Sequence, residues 1–305
     1  MSAGAAGSGN GDGRSTYLID ASIYIFRAWH SLPDQFHDPD GRPTNAVYGF
    51  ARFLCELLEE TSAEQIALAF DESLTKSFRN EIYPAYKANR EPAPEALKRQ
   101  FAWCREIAEA LGIPCFSHHR YEADDLIGTL ARQEREGGRG ICIVSGDKDL
   151  AQLIRAGDVL WDYARQTRYD TAAIEQRFGV RPQQLADMLA LAGDSVDNIP
   201  GVPGIGNKTA ASLLRHFGDL ASVLERADEV AHLRIRGATG IRGRLLEHRE
   251  TAELSARLTA IREDVADLSP ATGLGRRPGD ASAIHVLFDR LGFGGLMRNR
   301  CIALL

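Results

Sequence analysis

The apolar residues of this chain gather in short β-prone runs, and stretches of helical spacing lie between them. Residues 17–20 read Tyr-Leu-Ile-Asp, 66–71 read Ile-Ala-Leu-Ala-Phe-Asp, and 141–147 read Ile-Cys-Ile-Val-Ser-Gly-Asp. Runs of this length, bounded by turn residues, suit strands covered on both faces, and such strands belong to parallel sheets. Within 44–60, Val47, Phe50, Phe53, Leu54, Leu57 and Leu58 follow helical spacing. The order continues with a helix over 101–111 ending at Gly112, a strand over 113–117 and a helix over 123–135 before Gly137-Gly138. A strand over 141–145, a short helix near 149–154 and a strand over 159–163 complete it. This alternation predicts an α/β domain over 16–170, with a mostly parallel central sheet flanked by helices. From about Thr171 the pattern changes to short helices and glycine-rich turns. Residues 265–280 read as a linker, and 281–297 as a closing helical segment. The Gly/Ser/Ala-rich residues 1–15 are expected to form a disordered tail.

All three apolar runs end on an aspartate: Asp20, Asp71 and Asp147. In parallel sheets, functional groups collect beyond the carboxyl ends of the strands, so these three are expected in one cleft. A lone aspartate at a strand end is an ordinary turn residue. More acids follow here, however. Glu122, Asp124 and Asp125 open the helix at 123, Asp149 stands two residues beyond Asp147, and Asp194 and Asp197 lie in a later loop. Acids at a helix N-terminus gain about 0.3–1 kcal/mol from the macrodipole, which accounts for one or two of the three at 122–125. For Asp194 and Asp197 an Asx turn stands as an equal alternative. Two carboxylates 5 Å apart repel by roughly 3 kcal/mol at an effective dielectric of 20, so clustering several without a cation strongly destabilises the fold or forces protonation. All-oxygen donors suit Mg²⁺ or Mn²⁺ rather than zinc. Nine carboxylates suit two ions, which can clamp the attacking and leaving oxygens of a phosphodiester.

The formal charge of −6 argues against nucleic acid as a partner only until the metal candidates are set aside. Without those nine, 33 acids face 36 bases. The basic residues also cluster. Arg79, Lys87 and Arg90 interleave with Tyr83 and Tyr86 in a stretch over 74–100, where Pro84 is expected to open a short helix carrying Tyr86 and Arg90 on one face. Cations and rings in alternation suit a single-stranded nucleic acid, and a solvated basic loop is the plainer alternative. Residues 198–214 place Gly201, Gly204 and Gly206 ahead of a helix beginning near Lys208 and Thr209. Glycines there let backbone amides meet a phosphate, or they make a tight helix–helix connection with no ligand. The spacing is not that of a Walker loop, so ATP is not implied. Five cysteines with no C-x-x-C pair argue against a disulfide framework or a zinc site, and a reducing cytoplasm fits them. No apolar stretch reaches the ~20 residues of a membrane helix.

These motifs together resemble the bacterial 5′–3′ exonuclease/flap endonuclease family, which includes the N-terminal nuclease domain of DNA polymerase I. The resemblance runs from about Thr16 to Leu296. It rests on LIDAS at 18–22, AVYGFARFL at 46–54, AFD at 69–71 and SFRNEIYPAYKANR at 77–90. YEADDLIGTLA at 121–131, VSGDKDLAQL at 144–153 and ALAGDSVDNIPGVPGIGNKTA at 190–210 complete it. The resemblance implies a PIN-like nuclease core and a helical region from 171 with a helix–three-turn–helix element over about 186–265. The family's metal ligands fall on Asp20, Asp71, Glu122, Asp124, Asp125, Asp147, Asp149, Asp194 and Asp197. Arg79, Tyr86, Lys87 and Arg90 fall in the arch above the site. Gly201, Gly204, Gly206, Lys208 and Thr209 fall in the element that grips duplex backbone, where relatives often hold a K⁺ ion.

The implied activity is metal-dependent hydrolysis of DNA near free 5′ ends, on 5′-flap, nicked or 5′-recessed duplex, by a cytoplasmic monomer without membrane contact. Exonuclease and flap-cutting balance, and DNA against RNA primers, stay open. So does the choice between a stand-alone nuclease and part of a polymerase. An aspartyl-phosphate enzyme would need an acid where Ser22 stands. A non-catalytic DNA scaffold would have no use for the complete acidic set.

Overall fold

Six strands form one sheet: β1 (Ser15–Asp20), β2 (Ile66–Asp71), β3 (Cys115–His118), β4 (Gly140–Val144), β5 (Val159–Asp162) and β6 (Thr167–Tyr169). Their spatial order is β3-β2-β1-β4-β5-β6, with β1 to β5 parallel and β6 antiparallel at the edge. The computed structural model describes residues 15–33, 35–72, 77–268 and 273–305. The expected tail, apart from Ser15, lies outside the described residues, as do the first residues of the basic stretch and 269–272 of the expected linker.

The chain builds outward from β1 through β2 to β3, then returns to the other side of β1 with β4. The strand order therefore reverses between β1 and β4, where ligands of open α/β sheets bind. The register places Asp20 beside Ala69, and Ile19 beside Val144. Asp20, Asp71 and the turn after β4 consequently finish on one edge.

Helices α1 (Ala21–Ser31), α2 (Asn45–Thr61), α3 (Phe78–Ile82), α4 (Glu95–Ala110) and α5 (Ala123–Glu136) accompany the strands. Ile19, Leu68, Phe70 and Val144 face one way and pack with Phe50 and Leu54 of α2 and Ile107 of α4. Leu18, Ala67, Ile141 and Ile143 face the other way and meet Leu126, Ile127 and Leu130 of α5. Both faces are covered, which is why the strand sequences show no polar alternation.

The helical part comprises α6 (Thr171–Phe178), α7 (Leu185–Ala192), α8 (Asn207–Phe217), α9 (Leu220–Glu225), α10 (Ala238–Glu247) and α11 (Arg249–Thr259). Its Leu189, Leu214, Val230 and Ile241 join the apolar cluster beneath α5. The final α12 (Ala281–Leu291) and α13 (Gly295–Ile302) pack on the opposite face through Phe288 and Met297. The expected linker is tied to the sheet: Ile66 N donates to Leu274 O (2.9 Å) and Arg276 N to Glu64 O (2.7 Å). Among the described residues no helix is long and apolar enough to cross a membrane.

Four elements differ from the sequence reading. α1 was not expected, yet Asp20 caps it by accepting from Ile23 N at 3.3 Å. α4 begins at Glu95 rather than 101, directly after Pro94. β6 was not anticipated. The expected helix at Pro84 is instead a run of turns over 84–89, with Lys87 at φ +55°, and the helix lies earlier as α3.

Candidate active site

A cleft of about 350 Å³ opens at the carboxyl edge of the sheet, lined by Asp20, Asp71, Glu122, Asp124, Asp147 and Asp197, with Lys87 and Arg90 among its cations. Six of the nine candidate carboxylates thus meet in one place. Short local bonds aim them. Ser145 Oγ donates to Asp20 Oδ2 (3.0 Å), and Asp71 Oδ1 accepts from Ala123 N (2.9 Å) at the start of α5. Ser22 Oγ receives the Asp71 amide (3.0 Å), and Asp147 Oδ1 accepts from Asp149 N (2.9 Å). The sequence reading names Ser22 only against an aspartyl-phosphate enzyme and does not single out Ser145. Both stand beside strand-end acids, within LIDAS and VSGD, which is the signal that could have found them.

The electrostatics divide these acids into two groups. Burial, then Asp71 and Asp147, push the Asp20 carboxyl up to about 7. Burial and Glu122 raise Asp71, while burial with Asp147 and Asp20 raises Asp124 well above the usual range. These acids repel one another with little protein cation between them. Glu122 is different. Burial works against its charge, yet Lys87 and Arg79 hold its carboxyl below the usual value. Its Oε1 accepts from Lys87 Nζ (2.6 Å), and its Oε2 from Arg79 Nη1 and Tyr86 Oη, both at 3.0 Å. Among the described residues, no group of three or more His, Cys, Asp or Glu side chains stands close enough together to hold a metal ion as they lie.

Arg79 and Asp125 do not enter the cleft. Arg79 is 2 % exposed, and all five of its N–H groups are bonded. Nε donates to Leu258 O (2.8 Å), Nη1 to Glu122 and Asp125, and Nη2 to Asp125 and to Ala260 O (2.9 Å). Asp125, fully buried, also accepts from Glu122 N and Arg262 N. With both oxygens and every guanidinium proton occupied, this pair is a clamp between α3, α5 and the end of α11. In this structure Arg79 stands in the buried clamp rather than in an arch above the cleft, and both oxygens of Asp125, a metal ligand by the resemblance, are taken up by hydrogen bonds. Gly128 on α5 lets the strap after α11 come this close, since a Cβ there would sit 2.6 Å from Arg262 O.

Tyr86, placed in the arch by the resemblance, is 4 % exposed and directs its hydroxyl to Glu122 and Asp197. Desolvation explains the posture: a buried phenol needs an acceptor, and the two carboxylates provide it. Lys87 is held at both ends, its amide on Asp197 O (3.0 Å) and its Nζ on Glu122. Arg90 remains about half exposed and pairs with Asp197.

Asp149 and Asp194 stand behind the cleft, and Lys148 lies between them. Its Nζ is 2.6 Å from Asp194 Oδ2 and 3.1 Å from Asp149 Oδ1. Asp149 is nonetheless pushed up to about 7 by burial and Asp147. Asp194 lies below the usual range: burial opposes its charge, and Lys148 outweighs that penalty. Sequence reading counted the acids of Asp147-Lys148-Asp149 and passed over the cation between them.

In the glycine loop, Gly201 is buried and its amide donates to Ser255 Oγ (3.2 Å). At φ +62° it packs on Gly193, where a Cβ would meet Gly193 N at 2.2 Å. It therefore shapes the loop and presents nothing outward. Gly204, Gly206 and Lys208 are exposed and Thr209 is half-buried at the start of α8, where Gly206 caps the helix without a side-chain bond.

Comparison with known proteins agrees with this geometry. Residues 15–179 match the family model described as 5′–3′ exonuclease, N-terminal resolvase-like domain, and 180–279 match 5′–3′ exonuclease, C-terminal SAM fold. The chain is 40 % identical to DNA polymerase I of Rhizobium leguminosarum over 83 % of its own length and 25 % of that protein. It is 38 % identical to DNA polymerase I of Bacillus caldotenax over 92 % and 32 %. The chain thus spans about a quarter to a third of these relatives. Among solved structures, zinc-bound T5 5′-exonuclease aligns with TM-score 0.66 at 19 % identity, covering 95 % of this chain and 98 % of that one. The catalytic core of Rad2 with DNA substrate aligns with TM-score 0.64 at 16 % identity, covering 96 % and 92 %.

Proposed function

The chain belongs to the 5′–3′ exonuclease family, and from that premise we propose that it hydrolyses DNA phosphodiesters near free 5′ ends with divalent metal ions in the acidic cleft. The observation that carries this reading is the repulsion among Asp20, Asp71, Asp124 and Asp147, converging where the strand order reverses. Several mutually repelling buried carboxylates are relieved either by protonation or by a bound cation, and a cation is the relief that leaves them charged near neutral pH. The donor set is all oxygen, which suits Mg²⁺ or Mn²⁺ with part of its water retained.

Asp20, Asp71, Asp124 and Asp147 would hold the first ion. Asp149, Asp194 and Asp197 would bias a second, through water and in exchange for their present partners Lys148 and Arg90. When bound, such ions supply Lewis acidity and a water acidified enough to attack phosphorus. The protein's own groups supply position and charge. Glu122, fixed by the Arg79–Asp125 clamp, keeps Lys87 at the mouth of the cleft. Lys87 and the half-exposed Arg90 are the cations a scissile phosphate meets there, and preorganised charge of this kind is worth several kcal/mol. Tyr86 holds Glu122 and Asp197 rather than a base. The products carry 5′-phosphate and 3′-hydroxyl.

The test is cleavage of a 5′-labelled flap and of a matched 5′-recessed duplex, with Mg²⁺ and with EDTA. Short labelled products dependent on Mg²⁺ support the reading. DNA binding without cleavage under any divalent ion moves it to a scaffold.

A further inference from the structure

We propose that Lys148 stands in for the second metal ion in the metal-free protein, and that its ammonium group is displaced when that ion binds. The proposal rests on the nuclease reading of the cleft and names what regulates it: a tethered cation that sets how much divalent metal the second position needs.

The first observation is position. The Lys148 Nζ lies 2.6 Å from Asp194 Oδ2 and 3.1 Å from Asp149 Oδ1. It thereby joins a carboxylate from the turn after β4 to one from the loop after α7. A divalent ion binding between these segments competes for the same oxygen lone pairs. The two contacts are unequal. Asp194 makes a short charge-assisted hydrogen bond with the amine, and its other oxygen accepts from Val196 N at 2.8 Å. The buried Asp149 Oδ1 lies within ion-pair reach of the amine but has no hydrogen-bond partner. A buried carboxylate oxygen in that state keeps a lone pair for a better cation.

The second observation is freedom to leave. The Lys148 side chain is 40 % exposed, against 6 % for that of Asp194, and its four-carbon stem is flexible. Arg79, by contrast, is locked in the clamp, and Lys87 is 17 % exposed and tied to Glu122. The repelling set Asp20, Asp71, Asp124 and Asp147 holds little protein cation. A first ion therefore enters there without competition, whereas a second displaces Lys148. A hydrogen bond to a charged group leaves the amine-free state about a tenth populated or less, so the second step is about tenfold weaker than the bare carboxylates would give.

The experiment titrates the full chain with Mg²⁺ by calorimetry, without DNA, in the wild type, Lys148→Met and Lys148→Arg. Methionine keeps the stem and removes the charge. Lys148→Met tightens the weaker binding step about tenfold and leaves the tighter step nearly unchanged. Lys148→Arg keeps a bridging cation and keeps the weaker step weak. Without metal, Lys148→Met melts lower than the wild type, because Asp149 and Asp194 lose their cation. Saturating Mg²⁺ then raises its melting temperature by more than it raises the wild type's.

A weaker step that is unchanged or looser in Lys148→Met overturns the proposal. So does equal tightening of both steps, which a general change of field would produce, and so does a single step shared by all three proteins. Mg²⁺-dependent flap cleavage by the wild-type chain is assayed alongside. Cleavage with an unshifted second step removes the role of Lys148 and leaves the nuclease reading standing. A second step that tightens in Lys148→Met, with no cleavage by the wild type, does the reverse.

Discussion

Replacing Arg79 by Met separates a buried clamp from a substrate-facing arginine. The side chain is almost without solvent, and its five donors meet two carboxylates and two main-chain carbonyls. Removing it leaves the buried Asp125 without its counter-charge and its two-pronged donor, which costs about 3–5 kcal/mol when one partner of a buried pair is deleted. Leu258 O and Ala260 O also lose their donors. For a chain of this size such a loss lowers the melting temperature by roughly 5–8 °C. Arg79→Lys keeps the charge but loses the two-pronged contact, and falls between the two. Adding Asp125→Asn to Arg79→Met removes the stranded charge and recovers roughly half of the loss, so the two substitutions are strongly non-additive. The assay is urea unfolding of the four proteins, with flap cleavage measured per folded molecule. A change in stability under about 0.5 kcal/mol with a large fall in turnover would refute the clamp and return Arg79 to the arch.

Other consequences follow from the same charges. Asp147→Asn should abolish cleavage yet raise metal-free stability by about 1–2 kcal/mol, since it removes one charge from a repelling set; a lower melting temperature contradicts this. Asp20 and Asp149 are each raised from 3.8 to about 7. The folded chain therefore holds protons that the unfolded chain has released between about pH 4 and 7, and metal-free stability falls as pH rises through that window. The stabilisation by Mg²⁺ should grow over the same interval in thermal melts, and a pH-independent Mg²⁺ effect counts against the site. Lys87→Ala should lower turnover at least tenfold with little change in duplex affinity, read from single-turnover kinetics and anisotropy. Gly201→Ala combines a left-handed backbone with a Cβ in contact with Gly193 N, and should cost about 3 kcal/mol in urea unfolding.

The sheet and the converging acids were legible because both leave local marks. A strand buried on two faces must be apolar throughout, and an aspartate at its end has few structural uses in such number. α1 was hidden for the converse reason: Asp20 was read as a strand-end acid, and its second use as a helix cap carries no separate signal. The fate of Asp125 was illegible because it depends on Arg79 and on the amide of Arg262, 137 residues away. Adjacent acids at the start of a helix look alike in sequence, yet one step along α5 turns Asp124 to the cleft and Asp125 to the clamp. Lys148 was passed over because a cation flanked by acids reads as solvated charge until the fold brings Asp194 beside it.

The most direct test of the central claim is metal titration of the chain at pH 7.5, with Mg²⁺ binding followed by calorimetry and 5′-flap cleavage followed on the same protein. The account predicts saturable Mg²⁺ binding that Asp147→Asn weakens at least tenfold, with cleavage rising as the site fills. Mg²⁺ binding and cleavage that survive Asp147→Asn unchanged would contradict it.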